Sequence, residues 1–178
     1  MIAKLFEIKD TKNKGRGLFA KKYIQKGTII CFECKNCEVR SKKEISRMSK
    51  QDKEIFLEFA YQRKDGSFLN PCDETKFLNH SCNSNILDTG KGFDIVVRGI
   101  KKGEEATYDY RVFYDKNFRM LCNCGERNCC KVVTCKHPVL EELNQFWMKK
   151  IDSSLKFVNK VGQPLKKELW QKSIFLPL

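Results

Sequence analysis

Ten of the 178 residues are cysteine, and five of them lie between Cys122 and Cys135. Such a chain must pair its thiols, keep them reduced or give them to a metal. The N-terminus, Met1-Ile2-Ala3-Lys4-Leu5-Phe6-Glu7, alternates and carries acid, unlike a secretory signal. The expected compartment is therefore intracellular and reducing, where thiols persist or bind metal; nucleus and cytoplasm both stay open. Cys122-Asn123-Cys124-Gly125-Glu126-Arg127-Asn128-Cys129 spells C-x-C-x4-C. Thiolates at this spacing converge on one tetrahedral Zn²⁺ at about 2.3 Å each, and a closed site needs four ligands. Cys82 is the expected fourth, with Cys130 its local competitor and metal-free buried thiols the bland alternative.

Charge and size set the next limits. The net charge is +13, with 41% apolar and 32% charged residues. About two thirds of the excess falls in residues 1–50, which hold 14 basic and 5 acidic side chains. A basic surface of this kind is either simply solvated or faces a polyanion, and charge alone does not separate the two. Non-specific DNA contact is thus one expectation. No apolar run approaches the roughly 20 residues that span a bilayer, so no membrane partner is expected. The length fits one domain with an appendage.

Hydrophobic periodicity predicts a mainly β chain with an α insert. Residues 2–8, 28–33, 93–98 and 106–110 read as short strands separated by tight turns such as Gln25-Lys26-Gly27 and Lys101-Lys102-Gly103. Between them Ser41-Lys42-Lys43-Glu44 forms a capping box, and Ser49-Lys50-Gln51-Asp52 resembles one. Ile45, Met48, Ile55, Phe56, Phe59 and Ala60 then recur at helical steps, predicting helices over 42–48 and 50–62. The tail reads as a helix starting at Pro138, with Leu140, Leu143, Trp147, Ile151 and Leu155 as a core stripe. Gly162 and Pro164 end it, and Leu165, Leu169 and Trp170 suggest one further turn.

Two further segments carry polar chemistry. Lys14-Gly15-Arg16-Gly17 places two glycines one residue apart, which lets backbone approach a ligand. It lacks the third glycine and helix of a dinucleotide fingerprint. Phe77-Leu78-Asn79-His80-Ser81-Cys82 sets hydrogen-bonding side chains and a thiol directly behind apolar residues. Taken alone it reads as a core-edge turn, and His80 as a satisfied structural histidine.

Together these segments resemble, in order, the SET domain of protein lysine methyltransferases. The family's G-x-G, R-F-x-N-H-S-C, G-E-E-x-x-x-D-Y and post-SET C-x-C-x4-C elements appear as Gly15-Arg16-Gly17, Lys76 to Cys82, Gly103 to Tyr110 and Cys122 to Cys129. The resemblance covers about residues 4–131. It implies a β-clip fold of small twisted sheets in which the N-H-S-C and D-Y segments interlock as a pseudoknot, with a C-terminal helix added. It implies a SET domain over 1–117 with the insert at about 42–62, a post-SET zinc loop over 118–135 and a helical extension over 136–178.

The resemblance also implies an activity: methyl transfer from S-adenosyl-L-methionine to the ε-amine of a lysine-bearing protein or peptide, with histone the family's most frequent substrate. Lys14, Gly15, Arg16, Asn79 and His80 would line the donor pocket. Tyr110 would be the catalytic tyrosine. Tyr108 would contact the amine and favour mono- or dimethylation. Cys82, Cys122, Cys124 and Cys129 would hold structural Zn²⁺. A lysine amine titrates near 10.4, so deprotonation at about pH 7.4 costs about 4 kcal/mol. A desolvating channel and a nearby sulfonium both lower that cost.

The chain also departs from the family. Lys76 replaces a frequent Arg. Cys130-Lys131 replaces Arg-Gly, and Val132-Val133 stands where an aromatic often packs on the donor, which would leave closure to the C-terminal helix. Cys31, Cys34 and Cys37 lack a clear fourth ligand and are expected to be free. Two other readings remain at this point: a catalytically silent SET-like scaffold that binds peptide, and a zinc-dependent nucleic-acid binder.

Overall fold

The computed structural model describes residues 1–136 and 139–171. The chain runs through β1 (Phe6–Asp10), β2 (Arg16–Ala20), β3 (Ile29–Cys31), β4 (Glu38–Arg40), α1 (Lys42–Ser46), α2 (Lys50–Leu57), β5 (Tyr61–Gln62) and β6 (Phe68–Asn70). A 3-10 turn at Glu74–Phe77 leads into β7 (Asn79–His80), β8 (Ile86–Asp88), β9 (Asp94–Val96) and β10 (Glu105–Tyr108). After them come β11 (Arg119–Leu121), β12 (Val132–Thr134), α3 (Glu141–Leu155) and α4 (Lys166–Gln171). Short strands are what the dense turn residues dictate.

These strands form four small sheets, ordered β1-β2-β10-β7, β3-β9-β8, β4-β6-β5 and β11-β12. The first sheet builds the site. Its hairpin β1–β2 is antiparallel, with Ile8 opposite Leu18 and Asp10 opposite Arg16. Strand β10 pairs antiparallel with β2, through Glu105–Phe19 and Ala106–Leu18. It pairs parallel with β7, through Thr107–Asn79 and Tyr108–His80. Around that parallel junction Asn85 donates to the Glu105 carbonyl at 2.9 Å and accepts from the Thr107 N–H at 2.8 Å. The Ser81 N–H donates to the Tyr108 carbonyl at 3.0 Å. The two polar segments are thus locked by backbone groups that burial would otherwise leave unpaired.

The insert follows its capping chemistry. Ser41 accepts from the Glu44 N–H while the Glu44 carboxylate accepts from the Ser41 N–H, a complete capping box at α1. Ser49 caps α2 through the Asp52 N–H. The second helix stops five residues before the periodicity predicts. Tyr61 and Gln62 instead pair with Leu69 and Phe68, and Ile55, counted in the apolar stripe, is 61% exposed. A sheet partner and a stacked ring claim residues that local spacing assigns to helix.

The tail joins the main core rather than standing apart. Trp147, Ile151, Val158, Leu165 and Leu169 bury among Phe6, Leu18, Ile29 and Ile95. Leu140, placed in the helical stripe by sequence, is instead the N-cap residue of α3 and 70% exposed. Pro138 lies outside the described residues. Gln163 fastens the tail to the sheets: its amide donates to the Gly27 and Val158 carbonyls at 3.0 and 2.8 Å, and its oxygen accepts from the Ile29 N–H at 2.8 Å. Gly27 is required there. Its φ is +91°, and a Cβ would stand 2.6 Å from Phe157 Cβ. No described helix is long and apolar enough to cross a membrane.

Candidate active site and thiolate clusters

One cavity of about 1040 Å³ is lined by both polar segments. Lys14, Gly15, Arg16 and Asn79 contribute to its wall, and so do Tyr108 and Tyr110. The volume is at the upper end of those that hold small ligands. Residues predicted from two distant motifs therefore share one space. His80 does not line it: the side chain is 2% exposed and sits behind the wall. Burial pushes its pKa down to about 4. The neutral ring accepts the Tyr110 N–H on Nδ1 at 3.1 Å and places Nε2 3.4 Å from Cys82 Sγ.

Glu105 organises the glycine loop. Its carboxylate takes Lys14 Nζ at 2.5 Å and Asn79 Nδ2 at 2.8 Å. Asn79 Nδ2 also donates to the Arg16 carbonyl at 3.0 Å. Gly17 lies against this knot. A Cβ on it would meet Glu105 Oε1 at 2.8 Å, Thr11 Cγ2 at 2.9 Å and Asn79 Nδ2 at 3.0 Å. The Arg16 guanidinium stacks over the Phe77 ring at 4.3 Å, and Lys76 lies 5.5 and 5.6 Å from the Phe59 and Phe77 rings. Lys76 thus makes cation–π contacts.

An aromatic cluster forms one part of the cavity wall. Phe113 stacks on Tyr61 at 4.5 Å and on Tyr108 at 5.8 Å, and lies 5.5 Å from Tyr110, which meets Phe118 edge-on at 6.3 Å. Both candidate phenols have their protons committed. Tyr110 donates to the Leu78 carbonyl at 2.5 Å, and Tyr108 donates to Asp94 Oδ1 at 3.2 Å. Burial pushes Tyr110 up to about 12, and burial with the Asp94 charge raises Tyr108 as well. Neither phenol is ionised at neutral pH. Both present oxygen as an acceptor. Asp94, also in the wall, is raised to about 7 by burial and by the neighbouring Asp88. Glu105 belongs to the Gly103 to Tyr110 element, whereas Asp94 and Phe113 carry no local sequence signal of a site.

Behind the aromatic wall Asp109 is 1% exposed and accepts from Arg111 Nε at 2.8 Å and Trp147 Nε1 at 3.0 Å. Helix α3 reaches the site through this indole. Lys150 adds a bond from Nζ to Asn83 Oδ1 at 2.8 Å. No α3 residue lines the cavity, so the helix supports the wall and does not close it.

The thiols collect in groups. The sulfurs of Cys82, Cys122, Cys124 and Cys129 all lie within 4.8 Å of one another. Cys82 and Cys122 stand 3.8 Å apart, the edge of a tetrahedron with metal–sulfur bonds of about 2.3 Å. The donor set therefore fits a closed thiolate zinc centre. Cys130 forms an overlapping group with His80, Cys82 and Cys122, its sulfur 3.4 Å from Cys82. Its N–H also donates to Cys82 Sγ at 3.3 Å, a contact that supports a thiolate there. The next residue, Lys131, takes φ +61°, the conformation that a glycine adopts without cost. Cys31 is buried beside Thr75 at 3.7 Å. Cys34 and Cys37 separate from it and converge with Cys72, a partner that sequence spacing did not single out.

The chain belongs to the SET domain family, whose pattern matches residues 15–111. Among its relatives is a probable histone-lysine N-methyltransferase, set-23, of Caenorhabditis briggsae, 30% identical over 146 residues that cover 73% of this chain and 61% of the relative. The H3 lysine-36 specific histone-lysine N-methyltransferase of Mycosarcoma maydis is 33% identical over 137 residues, 69% of this chain and 14% of that protein. The chain thus spans less than two thirds of either relative's length. Its fold is similar to that of Arabidopsis thaliana SUVH6, crystallised with SAM, at a TM-score of 0.57, 22% identity, and coverage of 74% of this chain and 34% of that one.

Proposed function

We propose that this protein transfers a methyl group from S-adenosyl-L-methionine to the ε-amine of lysine in a protein substrate. One observation carries the reading: a single cavity is lined by the glycine loop, by Asn79 and by the two motif tyrosines. The relatives' names favour histone as the substrate class. On this reading the protein is intracellular and works in the nucleus, with the net charge of +13 available for non-specific DNA contact.

Lys14, Gly15, Arg16 and Asn79 would hold the donor, which supplies a methyl group on a sulfonium when bound, with His80 supporting the wall from behind. Cys82, Cys122, Cys124 and Cys129 would hold Zn²⁺, which fixes the loop and takes no part in transfer. Residues 1–117 would form the catalytic unit, 118–135 the zinc loop and 136–178 a helical support.

The chain's own residues define the amine's task. Tyr61, Phe113 and Phe118 exclude water, which lowers the amine pKa by desolvation. The Tyr110 and Tyr108 hydroxyl protons already point to Leu78 and Asp94. Their oxygens would therefore accept two N–H bonds from the amine. The amine's lone pair is then left for in-line attack on the methyl carbon, and holding it in that orientation is the main catalytic contribution. The bulk and bonding of Tyr108 would limit the product to one or two methyl groups.

The test is transfer of labelled methyl to histones and a lysine-peptide array. Tyr110→Phe should lower turnover by about 100-fold or more, a loss typical of removing a group that orients the reactants, with donor binding retained. Donor uptake without transfer to any lysine would overturn the reading in favour of a silent scaffold.

A further inference from the structure

A second group of thiols stands outside the zinc loop. Cys34 and Cys37 flank a tight turn closed by the Cys37 N–H to the Cys34 carbonyl at 3.2 Å. Cys72, 35 residues beyond Cys37, brings its sulfur to 3.4 Å from Cys34 and 3.8 Å from Cys37, and Cys34 and Cys37 are 3.8 Å apart. A tetrahedral ion with bonds of about 2.3 Å to sulfur requires edges of about 3.8 Å. Two of the three edges match, and the third is shorter by a few tenths of an ångström. The Cys82–Cys122 edge of the zinc loop has the same 3.8 Å length.

Burial does not explain this convergence. Cys72 is exposed and the other two are half-buried, whereas Cys31, three residues before Cys34, goes into the core. Thiols are weak hydrogen-bond partners, so mutual S–H contacts at the surface add little. We infer that Cys34, Cys37 and Cys72 form a second metal site, binding a thiophilic divalent ion of the zinc class through three thiolates. Among the described residues no further Cys, His, Asp or Glu atom joins the group, so the fourth position goes to solvent or a small exogenous ligand. On binding, each thiol releases its proton to solvent and no electron is transferred.

Its place in the fold gives the site a use. Strands β4 and β6 pair from Glu38–Asn70 to Arg40–Phe68. Cys37 directly precedes this ladder and Cys72 follows it by two residues. A shared ion would clamp the open end of the ladder. It would also fix the segment that enters the Glu74–Phe77 turn and then Asn79 in the cavity wall.

The full chain, purified reduced and with zinc supplied, should carry two zinc ions by elemental analysis. The double variant Cys34→Ser/Cys72→Ser should carry one, and Cys124→Ser/Cys129→Ser should keep one. Cobalt substitution of the wild type should show thiolate-to-cobalt absorption from both centres, and the Cys34→Ser/Cys72→Ser variant should lose about three sevenths of it, in proportion to thiolate number. That reading stays available if the zinc-loop variant fails to fold. A wild type holding one zinc, with unchanged content in Cys34→Ser/Cys72→Ser, would overturn the assignment. So would a native mass two hydrogens lighter with a Cys34–Cys72 disulfide under mild reduction, which would make the group a redox pair. The metal count is independent of methyl transfer, so either reading can fail alone.

Discussion

The indole nitrogen of Trp147 donates to the buried carboxylate of Asp109 at 3.0 Å across 38 residues of sequence. Asp109 also holds Arg111 and directly precedes Tyr110. The C-terminal helix is therefore wired to the residue beside the proposed catalytic tyrosine. Removing the donor leaves a buried charge short of one partner. Trp147→Phe keeps most of the packing and should lower stability by about 1.5–3 kcal/mol, the range for a hydrogen bond to a charged group. The denaturation midpoint measures it, and an unchanged midpoint would show that Arg111 alone satisfies Asp109.

Gly17 gives a test of the donor pocket. Gly17→Ala places a methyl group within 3.0 Å of Glu105, Thr11 and Asn79. Glu105 and Asn79 must then move, and Lys14 with them. Calorimetry should show donor affinity at least about 10-fold weaker, equal to about 1.4 kcal/mol. Alanine tolerated with full affinity would remove the Glu105 knot from the pocket.

Tyr108 governs how many methyl groups fit. Tyr108→Phe removes the oxygen and its bond to Asp94, which opens space beside the amine. Mass spectra of a reacted peptide should move from mono- and dimethyl toward trimethyl product. A wild type that already trimethylates efficiently would refute a limiting role for this phenol.

Asp94 should make stability depend on pH. Its carboxyl moves from an ordinary value of 3.8 to about 7 in the fold, chiefly through burial. Between about pH 4 and 7 the unfolded chain has lost this proton while the native chain keeps it. The contribution is complete below about pH 4 and is lost as pH rises through about 7, at no more than about 1.36 kcal/mol per unit. Asp94→Asn should flatten that slope in denaturation series at several pH values. An unaltered slope would mean that Asp94 ionises freely through the cavity.

Much of the site was legible because its chemistry is written in contiguous runs. Asn79-His80-Ser81-Cys82 and Tyr108-Asp109-Tyr110 need only one parallel ladder to meet, and that ladder forms. The capping serines were legible for the same reason, since a cap acts within four residues. What could not be read depends on contacts made across the fold. Cys72 has no cysteine near it in sequence, and only the β4–β6 pairing brings it to Cys34 and Cys37. Tyr61 leaves the helix expected over 50–62, pairing with Leu69 and stacking on Phe113, 52 residues later. Asp94 looks like one polar residue in an apolar strand until Tyr108 is placed against it.

Strand β2 has β1 on one side and β10 on the other, and β10 is made some 85 residues later. On the ribosome, the β1–β2 hairpin emerges early and waits with one bare edge. Its missing neighbour arrives only after the insert, the 3-10 turn and β7 to β9 have been synthesised. Closure of such distant pairings sets a slow folding step, and the waiting edge can recruit a foreign strand. Nascent chains stalled before Glu105 should therefore be the species that chaperones must hold.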